Sequence, residues 1–132
     1  MAALLLANFA AIAQVFDTYS GEELFEQFCA SCHGLRGIGD GPVAETLPVD
    51  MPDLTRLSKD NGGHFPEEYL RTVIDGRYVV ALHGTRYMPI WGYEFWVAQG
   101  ADFEAAMMVE VIVDNLVGYI KSIQDARSEL QP

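Results

Sequence analysis

Basic side chains are scarce in this chain. Eight Lys and Arg stand against nineteen Asp and Glu in 132 residues, only Lys59 and Lys121 are lysines, and the formal net charge is −11. So acidic a molecule is repelled by a phosphate backbone, which disfavours nucleic-acid binding. Cysteine is scarcer still: Cys29 and Cys32 are the only two, too few to staple a small fold with a disulfide framework. Long apolar runs are missing as well. The uncharged stretch Met1 to Phe16 falls short of the ~18 apolar residues that a membrane span needs. No internal repeat, low-complexity segment or sustained period-two alternation is present, so a sheet is not indicated. What remains is a length suited to one domain with a modest core.

Both cysteines fall in Phe28-Cys29-Ala30-Ser31-Cys32-His33-Gly34. Cys-x-x-Cys-His is the spacing that attaches a c-type haem. On a helix, residues three apart share a face, so two thiols can meet the two vinyl groups on one porphyrin edge. The imidazole next in sequence is then placed to reach the iron as proximal ligand. Gly34, without a Cβ, lets the backbone leave close to the ring. Three other readings compete. A redox dithiol wants a βαβ pattern that is absent, and a structural zinc needs a fourth ligand for which only the distant His64 and His83 remain. Buried inert thiols are the plainest alternative.

Met1 to Phe16 reads as a secretory apolar region with Ala11-x-Ala13 as its cleavage site, so residues 1–13 are expected to be a signal peptide or an apolar anchor and residues 14–132 the domain. No Lys or Arg precedes that run. Ser20 and Glu23 form a capping box that opens a first helix through Leu24, Phe25 and Phe28. Gly21 inside it costs helix stability, which points to a close crossing by another helix. Residues 35–51 hold Gly37, Gly39, Gly41, Pro42 and Pro48 and are expected to be a loop offering a carbonyl to the histidine ring. A short helix is expected from Pro52-Asp53 to Asn61-Gly62-Gly63, burying Leu54 and Leu57. Another opens at Pro66, buries Tyr69, Leu70, Val73 and Ile74, and stops at Gly76. The longest runs from Asp102, with Val109, Ile112, Val113, Leu116, Tyr119, Ile120 and Ile123 on one stripe and Met107 and Met108 as core filler.

Between the last two helices, Tyr87-Met88-Pro89-Ile90-Trp91-Gly92 sets a thioether beside a proline in a segment without periodicity, as a rigid ligand loop would. Met88 is the preferred second axial ligand, and Met-His ligation raises the reduction potential. Met51, His83, His64 and an open coordination site remain as rivals. The aromatic run Tyr93-Glu94-Phe95-Trp96 reads as loop and core packing, with an attachment surface as its alternative.

With these residues in hand, the chain resembles a bacterial class I (monohaem) cytochrome c over about Ser20 to Gln124. The likeness rests on Cys29-x-x-Cys32-His33-Gly34, Gly37-Ile-Gly-Asp-Gly-Pro42, Asp53-Leu-Thr-Arg-Leu with Asn61-Gly-Gly, and Met88-Pro-x-Trp91-Gly92. It implies an all-α fold around one covalently bound haem c, with first and last helices crossing at Gly21 and Phe25 against Leu116 and Tyr119. It implies iron between His33 and Met88, and Pro42 as the carbonyl acceptor for the proximal histidine. Arg77, Arg86, Tyr78 and Trp91 become candidate neighbours of the haem propionates. The implied function is one-electron transfer, not enzymatic turnover, in the periplasm and within a respiratory chain. The lysine ring of mitochondrial relatives is absent, so the expected redox partner presents a basic docking surface to this acidic one. Two alternatives accompany that reading: an electron-transfer subunit of a larger dehydrogenase or oxidase, which would bring association with a membrane or complex, and a five-coordinate haem sensor or enzyme.

Overall fold

In the computed structural model, residues 16–77 and 87–124 are described. Among them the chain forms six α-helices and no strand: α1 Gly21–Phe28, α2 Ala30–His33, α3 Leu57–Asp60, α4 Glu67–Asp75, α5 Trp91–Ala98 and α6 Phe103–Ser122, joined by loops and 3-10 turns. This is the expected all-α class. Residues 1–13, and with them the expected signal or anchor, lie outside the described residues, as do Tyr78, His83 and Arg86.

Local chemistry accounts for the helix ends. Ser20 accepts from the Glu23 amide at 3.2 Å while the Glu23 carboxylate accepts from the Ser20 amide at 2.8 Å, a reciprocal cap that satisfies two otherwise unpaired donors. Asp102 caps α6 by accepting from Ala105 at 2.8 Å, and Asp53 caps the 3-10 turn Leu54–Arg56 that leads into α3. Gly76 closes α4 in the left-handed region that favours glycine.

The core is a layer of α1 and α6 side chains extended by α4 and α5. Leu24, Phe25, Val109, Ile112, Leu116 and Val117 are fully buried, with Phe95 beside them. A Cβ on Gly21 would fall on the Asn115 carbonyl and on the Tyr119 side chain, so glycine is what lets the two backbones approach. Phe25 meets Tyr119 one turn along, ring centroids 5.2 Å apart. The crossing therefore occurs at the expected Gly and aromatic.

Three expectations need correction. Tyr69 is 68% exposed, because α4 turns only the side of Leu70 and Ile74 inward. Met107 is 60% exposed and fills no core, since it lies on the α6 face opposite Val109 and Ile112. Trp91-Gly92-Tyr93 onward is helical from its first residue instead of loop: α5 puts Phe95 in the core and leaves Tyr93 and Val97 outside.

The two glycines near the crossing should respond oppositely to one methyl group. Gly21→Ala is expected to lower unfolding free energy by about 1–3 kcal/mol through overpacking. Gly118→Ala, at a helical position with nothing within 4 Å, is expected to raise it by roughly 0.5–1 kcal/mol. Urea unfolding of both variants measures the difference, and equal shifts would contradict the crossing.

Candidate functional site

The Cys-x-x-Cys-His segment sits where α1 hands over to α2. Cys29 closes α1 with its amide on the Phe25 carbonyl at 2.9 Å, and the amides of Cys32 and His33 both return to the Cys29 carbonyl. Cys29 is thereby drawn into the core, whereas Cys32, one turn on, is only half-buried.

A helix as short as α2 leaves its carbonyls unsatisfied, and the glycine-rich loop supplies N–H donors to them. Gly39 donates to the His33 carbonyl at 2.8 Å, Gly41 to Cys32 at 3.2 Å and Val43 to Ser31 at 2.9 Å. The loop lies so flat on the motif that a Cβ on Gly41 would overlap the Ser31 and Cys32 carbonyls. Gly39, at φ +84°, would overlap the Met51 carbonyl. Gly34, at φ +77°, leaves room for the Asp40 carboxylate, so its missing side chain serves the loop.

His33 is half-buried, and its Nδ1 is shielded from solvent without a hydrogen-bond partner. Burial pushes its pKa down, while the Pro52 carbonyl, as a backbone acceptor facing the ring, works weakly the other way. The ring is therefore neutral near pH 7, the form that can ligate a metal. The backbone carbonyl facing the ring is that of Pro52, whereas Pro42, the acceptor that the resemblance implies, is exposed in the loop. Positive φ at Gly34, Gly37 and Gly39 turns the loop so that Pro42 lies over the outer side of α2, in a shallow pocket with Arg36 and Asp40. Pro52 is held in place by the two residues after it: Asp53 caps a turn, and the Leu54 amide bonds the Gly37 carbonyl at 2.7 Å. A cap leading to a core leucine is a sequence signal that could have favoured Pro52.

Met88 is half-buried and packs against the same apolar cluster that contains Cys29. The bridge between the two segments is aromatic. Phe28, next to Cys29, meets Trp91, three residues after Met88, edge-on at 5.5 Å, and Trp91 stacks on Phe95 at 5.6 Å. Phe28 in turn contacts Phe95 and Phe16 at 5.1 and 5.3 Å. Cys29, Met88 and Trp91 are thus gathered into one cluster, with Pro42 outside it. Of the rivals to Met88, Met51 is half-buried beside Gly39 and His64 is exposed. Arg77 is engaged by Asp75 and Glu110. Among the described residues no group of three or more His, Cys, Asp or Glu converges as a metal cage, so the zinc alternative gains no ligand set there.

A family model described as Cytochrome C oxidase, cbb3-type, subunit III matches residues 17–120, from the turn before α1 to the last turn of α6. No curated protein and no solved structure matches the chain. The residues present fit the haem c that this family implies. Two thiols and a neutral imidazole share one turn, a buried imidazole nitrogen lacks a protein partner, and a thioether and aromatic rings border the same apolar cluster.

The two thiols should differ in reactivity before any haem is attached. Burial, reinforced by neighbouring Cys32, pushes the Cys29 thiol up to about 12, so it stays protonated at pH 8. In the chain produced without haem, iodoacetamide at pH 8 is expected to alkylate Cys32 at least about tenfold faster than Cys29, because the thiolate is the nucleophile. Peptide mass spectrometry reads the ratio, and equal rates would mean that Cys29 is not held in the core.

Proposed function

Because the chain belongs to the family described as cytochrome c oxidase, cbb3-type, subunit III, and is therefore a monohaem c-type cytochrome acting in haem-based electron transfer, we propose that it is a one-electron carrier whose haem c is attached through Cys29 and Cys32 and ligated by His33 and Met88. The observation that carries the ligand assignment is the aromatic bridge from Phe28 to Trp91, which ties the haem-attachment motif to the Met88 segment within one apolar cluster.

A haem c bound there supplies a one-electron iron couple. The chain's own part is to hold and to exclude. Cys29 and Cys32 anchor the ring covalently, so its orientation is set by α1 and α2. His33, kept neutral by burial and steadied by the Pro52 carbonyl, offers a lone pair. Met88 offers a soft thioether, and its segment is kept in register by Trp91. Phe16, Phe28, Phe95 and Leu54 keep water away, which lowers the local dielectric and tunes the potential. His33 and Met88 together would hold the iron without an open site, so substrate turnover there is not part of this reading. Trp91, and Arg77 together with Tyr78 and Arg86, stay as candidate propionate partners, while Pro42 takes a place in the loop's outer surface.

Cytochrome c domains are typically exported, and in this reading residues 1–13 deliver the domain to the periplasm as a cleaved signal or a retained apolar anchor. Among the described residues no helix is long and apolar enough to cross a membrane. The partner is a redox protein with a basic surface, within a respiratory chain. The family's printed description, an oxidase subunit, favours a second reading in which this domain works inside a larger oxidase complex. Elution of the native protein at complex size supports that reading, and elution as a monomer supports the free carrier.

Absorption spectra of the protein matured with haem test the assignment. The weak long-wavelength sulfur-to-iron band is expected in the oxidised parent and absent in Met88→Ala, with haem still resistant to acid-acetone extraction. A parent without that band would give the five-coordinate alternative its support. Electron-transfer rates with a basic partner are expected to fall as salt rises, since screening weakens attraction between separated charges. A flat salt profile would remove the acidic surface from partner choice.

A further inference from the structure

Asp75 is the one buried carboxylate of the described core, its side chain only 12% exposed at the last position of α4. Three donors from Arg77 converge on it. The backbone N–H reaches Oδ1 at 3.2 Å, Nε reaches Oδ1 at 2.6 Å and Nη2 reaches Oδ2 at 2.9 Å. Arg77 is itself nearly buried, and its Nη2 also donates to Glu110 of α6 at 3.2 Å. Gly92, in the first turn of α5, is also pressed so close that a Cβ would overlap both the Asp75 carboxylate and its carbonyl oxygen. Burial pushes the Asp75 pKa up, but the hydrogen bonds and charge of Arg77 outweigh it and hold the carboxyl below its usual range.

Residues 77 and 92 are therefore brought together at a single carboxylate, and the stretch between them contains Met88. We propose that Asp75, acting through Arg77 and against Gly92, is a positioning residue for Met88: it fastens both ends of the ligand-bearing segment to α4 and, through Glu110, to α6. This rests on the reading of Met88 as the distal ligand. A buried ion pair adds little net stability compared with apolar side chains of like volume, so maintaining segment register is the role the geometry leaves for it. With the pair intact, Met88 is held against the cluster; with the pair cut, it is held less firmly and an external ligand competes more easily.

The test uses the holoprotein and its Asp75→Asn, Glu110→Gln and Met88→Ala variants. Asp75→Asn is expected to raise the affinity of the oxidised protein for imidazole about tenfold, the size of one lost charge-assisted hydrogen bond, and to weaken the sulfur-to-iron band while haem stays attached. Glu110→Gln should move both in the same direction by less. If Asp75→Asn does not accumulate, Arg77→Lys, which keeps the charge and loses the two-nitrogen fork, makes the same comparison. A variant that melts earlier but binds imidazole as the parent does would overturn the proposal and leave a merely structural ion pair. A parent that lacks the band, with imidazole affinity unchanged in Met88→Ala, overturns the ligand reading and the positioning role together. A parental band abolished by Met88→Ala, with Asp75→Asn unchanged, overturns the positioning role alone.

Discussion

The close passage of α1 over α6 at Gly21 sets the depth of the haem-attachment motif and of the aromatic rings around it. Because no Cβ stands between Gly21 and the Asn115 carbonyl, the helices meet backbone to backbone, and Leu24 and Phe25 reach full burial. Asn115 returns the contact by donating to the Tyr19 carbonyl at 3.2 Å, just before the α1 cap. Phe28 and Cys29, one turn further on, enter the core at the height where Phe95 and Trp91 arrive from α5. Widen the crossing, and the motif and its aromatic bridge part. Global packing and placement of the redox centre are in this sense one constraint.

The features legible in the sequence are those fixed within one or two turns. The capping box at Ser20, the start of α6 at Asp102, the Gly76 stop and the α6 stripe all depend on neighbours three or four residues apart. The covalent motif is legible for the same reason. What could not be read depends on the path of the chain. Helix α5 has Trp91, Phe95, Trp96 and Val97 distributed around it, so no single face announces a helix, and the Met-Pro segment before it hides its start. That the Pro52 carbonyl faces the His33 ring depends on the path of a loop turned by three positive-φ glycines, whose turns no periodicity encodes. Met107 and Tyr69 are apolar or aromatic residues on solvent faces, which composition alone cannot tell from core.

Charge is distributed by a different logic from packing. Arg36 with Asp40, Arg56 with Asp60, Arg71 with Asp114, and Lys121 with Glu67 are exposed or partly exposed pairs, and such pairs contribute about 0–1 kcal/mol each. Asp75 with Arg77 is the buried exception, and burial is what gives it directional value, since a carboxylate that cannot turn to water must keep its donors.

Those pairs also consume most of the described positive charge. Glu22, Glu26, Glu45, Asp50, Glu94 and Glu104 have no cationic partner among the described residues, so their field is not cancelled locally. Glu22 and Glu26 already act on a neighbour: after burial, their charge is what raises the Tyr119 pKa at the helix crossing. A field that shifts a nearby phenol also reaches into solvent over about a Debye length, roughly 8 Å at physiological salt. For the carrier proposed above, attraction on that scale would orient a basic partner surface before contact. The packed centre and the acidic exterior are thus separable: α1, α5 and α6 hold the apolar cluster around the Cys-x-x-Cys-His motif, and surface charges can change without disturbing it.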